Sequence, residues 1–93
     1  MADTRVALIT GAMGGIGEAI AAALAEDGCR LMLNDIGATD DHTARCAVLA
    51  EQYGVNIQFH GADLSRRTEV EGLIRDTEAR LGPVDILVNN AVK

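Results

Sequence analysis

The residues best suited to chemistry are glycines that follow an apolar run near the start of the sequence. The run covers residues 6–9, and Gly11, Gly15 and Gly17 follow it at the spacing of a strand-to-helix turn. Gly11 can take backbone angles closed to residues with a Cβ, Gly15 leaves room for a pyrophosphate, and Gly17 lets a helix pack closely. Amide N–H groups in the first turn of that helix lack intrahelical acceptors and, with the helix dipole, would point at phosphates. The pattern predicts a phosphate-binding turn, although such turns also occur without a ligand.

A carboxylate, Asp35, lies at a suitable distance from these glycines to contact an adenosine ribose. It follows a second apolar strand, predicted over residues 30–34. In dinucleotide-binding folds, an acidic residue about 20 positions beyond the glycines accepts hydrogen bonds from the ribose hydroxyls. The same charge would repel the extra 2′-phosphate of NADP. A solvated turn residue or a helix cap is the alternative role. No Lys-Ser or Lys-Thr pair follows the glycines, which argues against a nucleoside-triphosphate site.

Three motifs occur in order along the chain. They are Thr10-Gly11-x-x-x-Gly15-Ile16-Gly17, Asp63-Leu64 and Asp85-Ile86-Leu87-Val88-Asn89-Asn90-Ala91. In this order and spacing they resemble the N-terminal, cofactor-binding half of the short-chain dehydrogenase/reductase family. Leu33-Asn34 and residues 54–65 look most like the bacterial 3-hydroxybutyrate dehydrogenases of that family. That likeness favours 3-hydroxybutyrate and acetoacetate as substrates.

The resemblance implies a nicotinamide cofactor and the residues that bind it. Asp63 would receive the adenine amino group, with capping of the following helix as its alternative role. Asn90 would lie beside the cofactor, while Asn89 gives structural support. Family members that use NADP tend to carry a basic residue at the positions held here by Gly14 and Ile36, so NAD is expected. The expected cofactor-binding residues are Gly11, Met13, Gly14, Gly15, Ile16, Gly17, Asp35, Asp63, Leu64 and Asn90.

Apolar runs and helical repeats alternate along the chain, as they do in α/β proteins. The strands are predicted over residues 5–10, 30–34, 55–60 and 84–88, and the helices over residues 15–27, 41–53 and 66–81. This alternation predicts a parallel sheet with right-handed crossovers. The resemblance implies a Rossmann-type three-layer fold with helices on both faces and strand order 3-2-1-4. Residues 1–93 would then form one NAD-binding half-domain, truncated after the fourth strand.

The helical repeats also predict which side chains face the sheet. For the first helix these are Ile16, Ala19, Ile20, Ala23 and Leu24; for the second, Ala44, Ala47, Val48 and Tyr53; for the third, Val70, Leu73, Ile74, Thr77 and Leu81. Thr39 or Asp40 is the expected N-cap of the second helix, and Ser65 that of the third. The glycines expected to end the three helices are Gly28, Gly54 and Gly82.

The composition limits the partners and the compartment. A net charge of −6 argues against nucleic acid or an anionic membrane as a partner. Cys29 and Cys46 are too few for a disulfide framework or a metal site, and no signal or membrane-spanning segment is recognisable, so a cytoplasmic protein is expected. His42 and His60 have no nearby nucleophile or acid in the sequence, which favours surface or structural roles.

The residues that carry out hydride transfer in the family cannot be placed on this sequence. The family uses a serine, a tyrosine and a lysine four residues after the tyrosine, but Tyr53 is followed four positions on by Ile57, and Lys93 has no tyrosine four positions before it. Ser65 belongs to a helix cap, so no catalytic residue is assigned and no turnover by the chain alone is expected. Val92 also departs from the family pattern, which has glycine there.

We therefore interpret the chain as a truncated or frame-altered product of a dehydrogenase gene. Its full-length relative would act on a small hydroxy or keto substrate, with a homo-oligomer left open. The alternative is a non-catalytic nucleotide-binding or assembly module.

Overall fold

A computed structural model describes residues 5–37 and 39–91. Within those residues, four strands and three helices alternate along the chain. They are β1 (Val6–Thr10), α1 (Gly15–Glu26), β2 (Arg30–Asp35), α2 (Thr39–Tyr53), β3 (Ile57–Gly61), α3 (Arg67–Arg80) and β4 (Ile86–Asn89). The predicted order of elements is confirmed, with boundaries that differ from the prediction by one to a few residues. None of the helices in the described part of the chain is long and apolar enough to cross a membrane.

The four described strands form one parallel sheet in the order β3-β2-β1-β4. β1 lies in the middle, with Ile9 opposite Leu33 on one side and Val88 on the other. The predicted α/β fold with strand order 3-2-1-4 is therefore confirmed. Because all strands run in the same direction, their carboxyl ends meet at one edge of the sheet, where the predicted motifs lie.

Both faces of the central strands are covered, which explains their continuous apolar sequences. Ala7 and Ile9 of β1 belong to a core formed with α1 and α2. Val6 and Leu8 face the opposite side and pack in a second, smaller core with Leu73 of α3. The helices therefore form two layers around the sheet, and the second layer consists of α3 alone within the described residues.

The buried face of α1 differs from the predicted one. Gly17, Ala21 and Ala25 are buried, whereas Ile16 is 73% exposed. The residues of the predicted stripe that are exposed are Ile16, Ala19 and Ala23. Ile20 and Leu24 of that stripe are partly buried and pack against the core, so the prediction is confirmed for these two residues. The most buried line instead runs through Gly17, Ala21 and Ala25, and a Cβ on Gly17 would overlap the backbone of the turn after β1.

The second helix shows the same kind of difference. Cys46 and Leu49 are its buried residues. The predicted side was wrong for Ala44, Ala47 and Val48, which are exposed. The helix also begins at Thr39 rather than at residue 41. α2 carries small or weakly apolar residues on more than one of its sides. Periodicity alone therefore does not determine which side is buried.

The third helix follows the prediction more closely. Leu73 and Thr77 are buried on it, and Leu81 is buried just after it ends. Ile74, which was also expected to face inwards, is 44% exposed.

β4 lies at one edge of the sheet, and its Leu87 is 64% exposed. An apolar edge is thus open in the part of the chain that the structure describes.

Candidate functional site

The turn after β1 requires glycine at two positions. Gly11 has a φ of +59°, and a Cβ there would lie 2.8 Å from Cα of Ala91. A Cβ on Gly17 would overlap the carbonyl oxygen of Gly11 and would lie 2.7 Å from Cα of Ala12. Real Cβ atoms do not come this close to backbone atoms. The missing side chain of Gly17 therefore lets α1 pack against the turn, and that of Gly11 lets the chain after β4 pack against it.

Gly14 and Gly15 have the opposite surroundings. A Cβ on either residue would meet no atom within 4 Å. Gly14 is the N-cap of α1 and makes no side-chain capping bond, and the helical ladder begins with the Glu18 N–H donating to the Gly14 carbonyl at 2.8 Å. The amides of the first helical turn therefore have no intrahelical acceptor and lie beside open space. This helix end can receive an anion.

The carboxylate of Asp35 is hydrogen-bonded to residues 11–14, the turn between β1 and α1, which we call the glycine turn. One of its oxygens accepts a hydrogen bond of 3.0 Å from the backbone N–H of Met13. The other accepts a bond of 2.9 Å from the N–H of Ile36. Each carboxylate oxygen has a second lone pair, so both can still accept bonds from a ligand hydroxyl. The two backbone bonds fix the orientation of the carboxylate at the carboxyl end of β2.

The Asp63 carboxylate organises the loop after β3. Its Oδ1 accepts bonds from the Ser65 N–H at 2.9 Å and the Ser65 hydroxyl at 2.7 Å. The predicted N-cap role of Ser65 is wrong, because Arg66 occupies the N-cap position of α3 and no side chain caps it. Glu69 of the first helical turn instead reaches back and accepts a bond of 2.9 Å from the Asp63 N–H.

The end of β4 is fastened to the glycine turn. The hydroxyl of Thr10 accepts bonds from the backbone N–H groups of Asn90 and Ala91 at 3.1 and 3.2 Å. It lies 3.2 Å from Oδ1 of Asn89, to which it donates. The side-chain amide of Asn90 donates to the carbonyl of Gly11 at 3.1 Å. Val92 lies outside the described residues.

A cleft of about 160 Å³ opens at the carboxyl ends of the strands. It brings together Gly11, Asp35, Asp63 and Leu64 from three segments of the chain. The other residues that line it are Asn34, Ile36, Ala62, Ser65 and Ala91. None of these lining residues is basic, and two are acidic, so the cleft offers no positive side chain to an additional phosphate.

The remaining turn residues lie beside a second depression of about 380 Å³ on the α1–α2 side, which Met13, Gly14 and Gly15 help to line. Glu18 of α1 and Arg45 of α2 form an ion pair there, and the hydrogen bond that Arg45 donates to the Glu18 carboxylate raises the pKa of the Arg45 guanidinium. The pair neutralises the one acidic side chain in the first turn of α1. Sequence reasoning did not find it, because nothing in the spacing joins residues of different helices.

Neither histidine lines the cleft. His60 Nδ1 is 2.7 Å from Oδ2 of Asp76, which joins β3 to α3. The His42 ring lies 5.1 Å from the ring of Phe59, centroid to centroid. Among the described residues, no group of three or more His, Cys, Asp or Glu side chains could hold a metal ion.

The sequence model of the family described as short chain dehydrogenase matches residues 5–92. The chain belongs to the short-chain dehydrogenase family. Among curated family members, it is similar to the D-beta-hydroxybutyrate dehydrogenases of Cupriavidus necator and Rhizobium meliloti, with 38% identity over 91 and 88 residues. These alignments cover 98% and 95% of this chain but 34% of each relative. It is also 43% identical over 89 residues to nodulation protein G of Azospirillum brasilense, of which it covers 35%. The chain thus spans about a third of the length of the curated short-chain dehydrogenases it matches.

Solved structures of the family share the fold. L-sorbose reductase from Gluconobacter frateurii, complexed with NADPH and L-sorbose, matches with a TM-score of 0.89 and 31% identity. That match covers 99% of this chain and 35% of the reductase. The alcohol dehydrogenase of Thermococcus sibiricus, complexed with 5-hydroxy-NADP, matches with a TM-score of 0.81 and 40% identity over 89% of this chain and 35% of that one. The predicted family resemblance is confirmed, and both of these structures contain a form of NADP.

Proposed function

We propose that the chain is the NAD-binding portion of a short-chain dehydrogenase that transfers hydride between NAD and a hydroxyl or ketone substrate. One observation carries the proposal: the Asp35 carboxylate is hydrogen-bonded to the Met13 amide, beside an open helix N-terminus. A negative side chain and the positive end of a helix are thus held next to each other. A dinucleotide with a free ribose is complementary to both: its ribose hydroxyls can donate to the carboxylate, and its anionic pyrophosphate can bind at the helix N-terminus.

The proposed contacts extend from the adenine to the nicotinamide end of the cofactor. The first turn of α1, from Gly15 to Gly17 with Met13 and Gly14 before it, binds the pyrophosphate. Asp63 and Leu64 bind the adenine, and Gly11 and Asn90 border the path to the nicotinamide. The cofactor, when bound, supplies the ring that accepts or returns hydride.

The preference for NAD over NADP depends on charge. Asp35 is half-buried, and no basic residue lines the cleft that it borders. A 2′-phosphate placed beside this carboxylate would be repelled without a compensating cation. The family positions that tend to be basic in NADP users hold Gly14 and Ile36. These features favour NAD, although relatives of this chain bind NADP.

The substrate proposal comes from likeness to relatives. Two of the relatives carry the name D-beta-hydroxybutyrate dehydrogenase, which favours 3-hydroxybutyrate and acetoacetate as the substrate pair of the whole protein. The residues of this chain that would meet a substrate are not assigned. A non-catalytic nucleotide-binding or assembly module is the second candidate, because the cleft and the N-terminus of α1 can bind a nucleotide whether or not hydride transfer follows.

Titration calorimetry of the purified chain with NAD, NADP and AMP tests the proposal. We expect NAD to bind at least about tenfold more tightly than NADP, a difference of about 1.4 kcal/mol. Tighter binding of NADP would contradict the assignment of Asp35, and no binding of any of the three would contradict the proposed site. In a parallel assay with NAD and 3-hydroxybutyrate, the chain alone should give no reduced cofactor.

A further inference from the structure

A buried amide lies directly before Asp35 and is not used by the proposed contacts. Asn34 is the fifth residue of β2 and only 1% exposed. Its Nδ2 donates to the carbonyl of His60 at 3.1 Å and to that of Ala62 at 3.3 Å. Since both partners are carbonyl oxygens, only the NH₂ end of the amide can face them, and the orientation of the side chain is therefore fixed.

Asn34 also binds the glycine turn through its backbone. Its carbonyl accepts a bond of 2.9 Å from the Ala12 N–H. One residue thus connects the turn after β1 with the chain leaving β3. The carbonyl of Asp35 adds a second link by accepting a bond of 3.2 Å from the Ala62 N–H.

The segment held in this way leads into the wall of the cleft. Beyond β3, whose last residue is Gly61, the regular ladder with β2 ends. Ala62 is 4% exposed, and Asp63 follows it directly. The Asn34 amide therefore adds side-chain bonds to the backbone at the point where the regular ladder ends and the chain turns towards Asp63. An apolar side chain in its place would leave the carbonyls of His60 and Ala62 without this donor.

We propose that Asn34 is a positioning residue for recognition of the adenosine half of the cofactor. It acts through Ala62, by holding the Asp63–Ser65 loop at the distance from Asp35 that the cleft requires. This inference rests on the proposed function, because it assigns the cleft to adenosine. It does not place Asn34 in contact with the reacting atoms.

The isosteric change Asn34→Asp distinguishes donation by this side chain from mere packing. An ionised carboxylate at this position cannot donate and would face two carbonyl oxygens. Burial and these acceptors favour its protonated form, which can donate one bond. AMP affinity relative to the natural chain should therefore fall about tenfold at about pH 8 and recover in part towards about pH 5. The Asn34→Ala chain has no group to protonate and should show the same relative loss at both pH values.

The experiment is calorimetry with AMP and with inorganic pyrophosphate on the three chains. Asp35, His60 and Asp63 lie close to position 34 and are present in all of them, so each affinity is expressed relative to the natural chain at the same pH. Pyrophosphate needs the N-terminus of α1 but not the Asp63 loop, and its affinity should change less than about twofold. An equal loss of both ligands, or a loss in Asn34→Asp that does not depend on pH, would overturn the proposal.

Hydrogen exchange without ligand gives a readout that does not depend on the proposed function. The amides of residues 62–66 should exchange faster in both variants, whereas those of β1 should keep their protection. Unchanged exchange in the loop would overturn the positioning role. If the natural chain binds neither AMP nor pyrophosphate, the proposed function fails, while the exchange result still decides what Asn34 does.

Discussion

The side-chain amide of Asn90 donates a hydrogen bond of 3.1 Å to the carbonyl oxygen of Gly11, 79 residues earlier in the chain. A Cβ on Gly17 would overlap the same carbonyl and would lie 3.0 Å from the Asn90 amide nitrogen. Asn90 and Gly17, which belong to two separate motifs, are thus packed around the backbone oxygen of Gly11. The glycine turn and the end of β4 form a single structural unit, and the following predictions depend on its parts.

Replacing Asp35 by Asn should weaken the preference for NAD. The amide keeps an oxygen that can accept the Met13 N–H, so the turn should stay in place, but the charge that repels a 2′-phosphate is lost. We expect the ratio of NADP to NAD affinity to rise about tenfold, or about 1.4 kcal/mol. Calorimetry with both cofactors measures the ratio.

A matched control is Asp27→Asn, which removes the same charge from the C-cap of α1 at the far end of the sheet. It should leave the ratio unchanged. If both variants change the ratio equally, overall charge rather than Asp35 sets the preference.

Adding one methyl group to α1 or to α3 should have opposite effects on stability. Gly17→Ala places a Cβ against the backbone of Gly11 and Ala12, and it should lower the free energy of unfolding by about 1–3 kcal/mol or more. Gly72→Ala places the same group where no atom lies within 4 Å, and it should raise that free energy by about 0.5–1 kcal/mol. Urea denaturation followed by circular dichroism measures both, and a stabilising Gly17→Ala would contradict the close packing.

The hydroxyl of Thr10 should matter more than its methyl group. Thr10→Val keeps the shape but leaves the N–H groups of Asn90 and Ala91 without their acceptor. The free energy of unfolding should fall by about 1–3 kcal/mol. Thr10→Ser keeps the oxygen and should lose less. Denaturant midpoints compare the two, and a serine chain less stable than the valine chain would show that the methyl contact dominates.

Cys46 should make the fold sensitive to alkaline pH. Burial, aided by Glu18 and opposed by Arg45, raises the pKa of the Cys46 thiol from 9.0 to about 11. The neutral thiol is favoured in the folded chain, so its stabilising contribution is complete below pH 9 and is lost as the pH rises towards about 11. The Tm of the natural chain should therefore fall more steeply over this pH interval than the Tm of Cys46→Ala. Parallel curves would contradict this assignment.

The sequence predicted the fold well because β1 and β2 each contain an apolar run and each is followed by a helical repeat. It was less successful for the helix faces, where the small residues of α1 pack inwards and Ile16 is 73% exposed. Periodicity records which residues are apolar, but the closeness of approach decides which of them are buried. For α1, a glycine at position 17 was the better indicator.

For the site, the motifs indicated which segments meet but not how they are joined. The bond from Met13 to Asp35 and the two bonds from Asn34 depend on tertiary geometry, since they connect residues 22 to 28 positions apart. A polar side chain at the end of an otherwise buried strand was the available sign for Asn34. Ser65 was misassigned because a serine before a helix suggests an N-cap. Its hydroxyl instead donates a hydrogen bond to the neighbouring Asp63 carboxylate.

The hydrogen bond between Thr10 and Ala91 joins positions 81 residues apart, so the cleft does not exist in a chain that has formed only its first helices. Any small molecule that occupies it would select the fully assembled chain and would act as a chemical chaperone. Recovery of this protein after expression should then vary with the intracellular supply of that molecule.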